Sequence, residues 1–156
     1  MTIRRASAAD VEQVADVLRC AFAEYERLYT RAGYAATTPD AAQLRARWDE
    51  GPVWVAGDGG IVATVAAVPR ESGVYVRSMA VRPEARGSGA GRALMRELER
   101  YAIGERAPRM YLSSTPFLYD AIRLYEALGF RRTGEPPHDL GGTPLITLEK
   151  RLDHRA

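Results

Sequence analysis

The chain has 156 residues, 46% of them hydrophobic and 27% charged, which is the make-up of one folded domain over residues 1–156 and not of a disordered segment. Cys20 is its single cysteine, which excludes an internal disulfide framework and any zinc site built on two or more thiolates, so no metal is expected. With 22 Lys and Arg against 20 Asp and Glu, the formal +2 is too even to argue for nucleic acid or an anionic membrane as partner.

In chain order, residues 2–6 read as a short strand. Ser7 and Asp10 have capping-box spacing, with Asp in place of Glu. Val11, Val14, Ala15, Leu18, Phe22 and Tyr25 then fall on one helical face, and Cys20 within it reads as a small buried hydrophobe. Residues 27–37 read as an aromatic-rich connection. Thr38-Pro39-Asp40 starts a second helix, with Thr38 as cap, Pro39 in the first position, and Leu44 and Trp48 on the apolar side. Residues 53–56 and 61–68 are strand-like, and Gly57-Asp58-Gly59-Gly60 between them is hairpin chemistry. A third run over 74–81 ends at Arg82-Pro83. Ala90, Leu94, Leu98 and Tyr101 recur at helical spacing, and 110–113 form a short strand. Thr115-Pro116 opens a further helix with Phe117, Ala121, Leu124 and Leu128 inside and Gly129 at its end. Residues 130–133 and 145–152 close the chain as strands around a loop that carries Pro136, Pro137, His138, Gly141 and Gly142. The order β-α-α-β-β-β-α-β-α-β-β predicts an α/β fold, a mixed sheet flanked by helices.

No segment reaches the roughly 18 apolar residues of a membrane span. Residues 1–7 run into charged amphipathic sequence with no apolar signal core, so a cytoplasmic protein is expected. Lys150 is the only lysine and asparagine is absent, the codon bias of a GC-rich genome, which points to a bacterial source.

The most informative segment is Arg82-Pro83-Glu84-Ala85-Arg86-Gly87-Ser88-Gly89-Ala90-Gly91-Arg92, set between a strand and a helix. Glycines there let the backbone approach a ligand, and the free amides of a helix start point the same way, an arrangement suited to pyrophosphate. The dinucleotide pattern G-x-G-x-x-G fails in both registers, ending on Arg92 or Leu94, and the P-loop fails because Lys150 is the only lysine. These failures weaken a nucleotide- or NAD-dependent function.

What remains, Arg86-x-x-Gly89-x-Gly91, resembles the (Gln/Arg)-x-x-Gly-x-(Gly/Ala) signature of the GCN5-related N-acetyltransferases, the GNAT family. Leu124-Tyr125-Glu126-Ala127-Leu128-Gly129-Phe130 resembles the family's (Leu/Phe)-Tyr-Glu-x-x-Gly-Phe segment, and the order of elements agrees over almost the whole chain. The resemblance implies the acyl-CoA N-acyltransferase fold and direct transfer of an acetyl group from acetyl-CoA to a primary amine. It also implies that Arg86, Gly87, Ser88, Gly89, Ala90, Gly91 and Arg92 hold the pyrophosphate of coenzyme A. Met79, Ala80 and Val81 would pair with the pantetheine arm where neighbouring strands splay. Tyr125 would serve as general acid for the departing sulfur, although it also falls on the apolar face of its helix as a core aromatic would. The family often has Asn seven residues before this tyrosine, where this chain has Leu118.

No base is named. Residues 74–81 contain no carboxylate and offer Tyr75, Arg77 and Ser78; Glu24, Glu26 and Glu71 lie in segments that border either the acceptor site or solvent, His138 reads as a surface-loop histidine or, as the resemblance implies, a residue of the loop beside the acceptor pocket, and His154 as tail; a water chain would serve equally well. Tyr25, Tyr29 and Tyr34 suggest an aromatic acceptor wall. The acceptor is a small-molecule or peptide amine, a homodimer is expected, and the alternative is a non-catalytic acyl-CoA-binding or sensor module on the same fold.

Overall fold

Alternation along Val53-Trp54-Val55-Ala56 sends Val55 to one side of a sheet and Trp54 and Ala56 to the other. In the computed structural model, which describes residues 1–153, that division organises the packing. The strands are β1 (Ile3–Arg5), β2 (Val53–Ala56), β3 (Ala63–Arg70), β4 (Gly73–Val81), β5 (Arg109–Ser114), β6 (Arg131–Arg132), β7 (His138–Leu140) and β8 (Thr143–Arg151). They form one sheet in the order β1-β2-β3-β4-β5-β8-β6, with β7 also paired to β8. The helices are α1 (Val11–Phe22), α2 (Arg31–Thr37), α3 (Ala41–Ala46), α4 (Ala90–Gly104) and α5 (Tyr119–Ala127). The sheet is mixed: β4–β5 is the parallel pair, and the other pairs are antiparallel.

One face takes α1, where Val11, Val14, Val17, Leu18 and Ala21 are buried against Val55, Ile61 and Ala80, with Leu44 of α3 beside them. The other face takes α4, where Leu94, Met95, Leu98 and Ala102 pack over Val65, Ala67, Val74, Val76 and Met110. Each fully buried aliphatic side chain there contributes roughly 1.5–3 kcal/mol.

Local departures from the sequence expectation have identifiable causes. Asp10 does cap, accepting from Ser7 N at 2.8 Å, and it also takes both Arg4 Nη1 and Nη2 at 2.8 and 2.9 Å, tying β1 to α1. The third helix is capped two residues later than expected: Asp40 and Gln43 exchange backbone and side-chain hydrogen bonds at 2.8 and 2.9 Å. Thr38 instead closes α2, its hydroxyl donating to Tyr34 O at 2.8 Å. The expected connection 27–37 is therefore partly helical, with α2 capped by Thr30, whose hydroxyl accepts from Gly33 N at 2.9 Å.

Thr115-Pro116 does not open α5, which begins at Tyr119, and within α5 only Tyr125 is buried. The loop before the last strand is a hairpin: Gly141 (φ +57°) and Gly142 (φ +93°) form a two-residue turn between Leu140 and Thr143. His138 therefore stands on β7 and not in a loop. Cys20 is only half-buried, and Arg82 Nη1 lies 3.4 Å from its sulfur, so it is not a plain core hydrophobe. His154 lies outside the described residues. Among the described residues no helix is long and apolar enough to cross a membrane.

Candidate active site

The parallel pair β4–β5 is short. Its register is confined to Val74↔Met110 and Tyr75↔Tyr111, after which β5 pairs only with β8 and β4 only with β3. The ladder between β3 and β4 is also interrupted: Thr64 faces Ala80 and Ala66 faces Arg77, so Ser78 and Met79 together stand opposite Val65. Ser78 takes φ +58°, a left-handed conformation rare for a residue with a side chain. The bulge turns the rest of β4 away from β5. Into the resulting wedge opens a cavity of about 690 Å³, walled by β4, β5, α5, the end of α1 and the loop after β4.

At one end of the cavity lies the glycine loop. Gly87 (φ +81°) and Gly89 (φ +87°) hold left-handed backbone, and a Cβ built on either would meet nothing within 4 Å. Both are thus required by conformation, and both face open space. Gly89 is the N-cap of α4, whose first amides have no intrahelical acceptor. Gly91 has a different role: its Cβ would stand 3.2 Å from Leu124 Cδ2 and 3.6 Å from Val81 Cγ2, so its smallness lets α4 close on α5 and β4. Arg86 and Arg92 also line the cavity, Arg86 paired with Glu24, and Arg92 with no ion-pair partner among the described residues.

Of the residues expected from the sequence, Met79, Ala80, Val81, Arg86, Gly87, Gly89, Ala90, Gly91, Arg92 and Tyr125 all line this one cavity. Ser88 does not; its hydroxyl lies 3.4 Å from Ala90 N. Leu118, at the position where the GNAT pattern often has Asn, is on the wall too.

Tyr125 is 6% exposed, with its ring 5.9 Å from that of Phe130. Its hydroxyl has no hydrogen-bond partner among the described residues. Burial, reinforced by the neighbouring phenols of Tyr75 and Tyr29, pushes its pKa well above the ordinary value. The hydroxyl therefore stays protonated at neutral pH, and the ring is packed as a core aromatic.

The acidic candidates stand elsewhere. Glu24 is occupied by Arg86, and Glu26 and Glu71 are exposed and off the cavity wall. Among the described residues Asp120 is the one carboxylate on the wall, and it is 85% exposed. His138 is exposed, its Nε2 3.2 Å from Ser113 Oγ. Tyr25 and Tyr29 line the cavity, and the Tyr34 ring is tilted against that of Tyr29 with centroids 5.9 Å apart.

Phe117 was expected inside its helix; it stands in the turn before α5, edge-on to Tyr29 at 4.9 Å. Arg77 is one of the residues that its strand offers, but Arg47 carries no motif, and its approach to Arg77 is made by tertiary packing.

The chain matches the family described as "Acetyltransferase (GNAT) family" over residues 15–130. It is 40% identical over 101 residues to the N-acetylaspartate synthetase of Danio rerio, which covers 62% of this chain and 36% of that protein. The chain spans about a third of the length of the N-acetylaspartate synthetases it matches. Among solved structures, yncA of Salmonella typhimurium with its cofactor acetyl-CoA superposes with a TM-score of 0.73 at 26% identity, over 99% of this chain and 95% of that one. An aminoglycoside 6'-acetyltransferase type Ii superposes with a TM-score of 0.78 at 21% identity over the whole of both chains, a likeness of fold alone.

Proposed function

The chain belongs to the GNAT acetyltransferase family, and from that membership we propose that it moves the acetyl group of acetyl-CoA directly to a primary amine. One observation carries the reading: a cavity that joins an open-faced glycine loop, the unpaired reach of β4 and the free Tyr125 hydroxyl. The yncA relative holds acetyl-CoA as its cofactor.

When bound, acetyl-CoA supplies an activated acyl group on a sulfur leaving group. The cavity suits such a molecule: the amides at the start of α4 and the cations Arg86 and Arg92 match phosphates. The backbone of Met79, Ala80 and Val81, without a β5 partner, has hydrogen-bonding groups to offer a pantetheine amide. The amide hydrogens there also provide donors toward a developing oxyanion. Tyr125 holds a proton on Oη and gives it up to the departing sulfur. No side-chain base is assigned, and deprotonation of the amine by water suits a wall whose one carboxylate is largely solvated.

Two measurements test this. Acetyl-CoA and CoA raise the melting temperature, whereas NAD and ATP do not; stabilisation by NAD alone overturns the reading. Thiol release from acetyl-CoA then appears with some member of a panel of amines. Binding without release from any amine would leave an acyl-CoA-binding module in place of an enzyme.

A further inference from the structure

A second concentration of positive charge lies on the cavity wall beside Ser78, where β4 is interrupted. Arg47, the residue that ends α3, is half-buried on the cavity wall and makes one side-chain hydrogen bond, Nη2 to Ser78 Oγ at 3.1 Å. No carboxylate pairs with it among the described residues. A guanidinium has five N–H donors, so most of this one is unanswered by protein. Arg77 of β4 lines the same wall; its Nη2 pairs with Glu50 at 2.8 Å, while its Nε is buried with no partner. Two guanidiniums thus share one carboxylate, and Glu50 is 45% exposed. The imbalance has a physical signature: burial first and the Arg77 charge second push the Arg47 pKa down, against a weaker opposing pull from Glu50. A half-buried cation without a counter-ion is costly, and a ligand anion removes the cost.

Position along β4 separates this charge from the phosphate end. Ser78, which holds Arg47, immediately precedes Met79, Ala80 and Val81, and those precede the glycine loop in turn. A cofactor laid from that loop along β4 would bring its acyl end toward Ser78, the residue that holds Arg47.

We propose that the acceptor is an amine that also bears a carboxylate, of the amino-acid type, and that Arg47, backed by Arg77, holds that carboxylate. The proposal rests on the amine-acetylation reading and names its substrate class. A cation at that place also favours the neutral form of the bound amine, which is the nucleophile, in a cavity with no buried side-chain base among the described residues.

The test measures thiol release from acetyl-CoA with matched pairs: glycine and glycinamide, L-aspartate and its diamide, L-phenylalanine and L-phenylalaninamide. The amides have less basic amines and would be the better acceptors if the carboxylate were ignored. At least one acid is expected to exceed its amide in kcat/KM by roughly 10- to 100-fold, the range of a charge-assisted hydrogen bond left unmade. Arg47→Met is expected to abolish that preference through KM for the acid, with the dissociation constant for acetyl-CoA unchanged, and Arg47→Lys to restore part of it. Glu50→Gln removes the shared anion and is expected to lower KM for the acid, a gain that a merely structural ion pair would not produce.

Turnover is not required for the second arm. The N-acetyl forms of the same three acids, with CoA present, are expected to raise the melting temperature of the wild type but not of Arg47→Met, and their amides to raise neither. Amides equal to acids in both arms, or a preference that survives Arg47→Met, overturn the proposal. Failure of acetyl-CoA to bind overturns the family-based activity instead, so the two failures are distinct.

Discussion

Burial of Tyr125 fixes both what its phenol can do and the pH range over which it does it. With its pKa held above the ordinary value of about 10, the hydroxyl stays protonated through neutral and mildly alkaline pH, and it donates without being able to serve as a base. Tyr125→Phe keeps the ring beside Phe130, so stability is expected to move little. Its kcat is expected to fall by about 10²-fold, the lower end of the usual 10²–10⁴ for a positioned acid, because a thiolate leaves readily. KM for acetyl-CoA changes much less, since the interaction is made mainly as the sulfur departs. The ratio of wild-type to variant kcat is expected to stay flat from neutral pH to about pH 10. Single-turnover rates across that range decide the matter; an unchanged kcat returns Tyr125 to the core.

Elements meet at a few residues whose loss separates folding from binding. Gly91→Val places a branched side chain against Leu124 and Val81, and overpacking of that kind costs about 1–3 kcal/mol. Gly89→Val meets open space, so its folding cost is backbone strain at φ +87°, roughly 1–2 kcal/mol, while its side chain enters the loop where an anion would sit. Acetyl-CoA affinity is therefore expected to fall further in Gly89→Val than in Gly91→Val. Calorimetric titration beside thermal melts checks the contrast.

Asp10 joins β1 to α1 in a different way. Its hydrogen bond to Arg4 first, and that to the Ser7 amide second, hold its pKa at about 2, against a usual value near 3.9. A depressed carboxylate pKa adds stability that is present above the unfolded value and lost as the pH falls from about 4 to about 2. Asp10→Asn is expected to cost about 1–2 kcal/mol at pH 7 and almost nothing at pH 2, as read by urea midpoints at the two pH values.

At the scale of the molecule, the two clusters of buried side chains lie on opposite faces of the same strands: Val55 belongs to one, its neighbours Trp54 and Ala56 to the other. Neither face can lose its helices without exposing strands that the other needs. We expect one cooperative unfolding transition, with calorimetric and van't Hoff enthalpies equal. A ligand that spans the wedge between β4 and β5 adds to that single transition: acetyl-CoA at 100 times its dissociation constant contributes about 2.7 kcal/mol, or roughly 5–10 °C in a chain of this length. Two resolved transitions, or a shift confined to one of them, would contradict this.

Local rules, legible residue by residue, account for part of this protein. Periodicity located α1 and α4, Gly-rich punctuation located the β2–β3 hairpin, and the spacing of Arg86, Gly89 and Gly91 with the Leu124–Phe130 segment carried the family, since backbone conformation and short spacings are written residue by residue. The Gly141-Gly142 turn obeys the same local rules, but His138-Asp139-Leu140 before it lacks the alternation that marks a strand. Tertiary structure alone decided the rest. The separation of β4 from β5 follows from a bulge at Ser78 and a two-residue register, neither of which has a sequence signature. The division of the glycines, Gly87 and Gly89 open to the cavity and Gly91 wedged beneath Leu124, depends on how α5 crosses α4. The charge around Arg47 exists only because α3 lays one guanidinium beside another from β4, 30 residues later in the chain, and Coulomb interactions depend on distance in space, which packing sets and sequence separation does not.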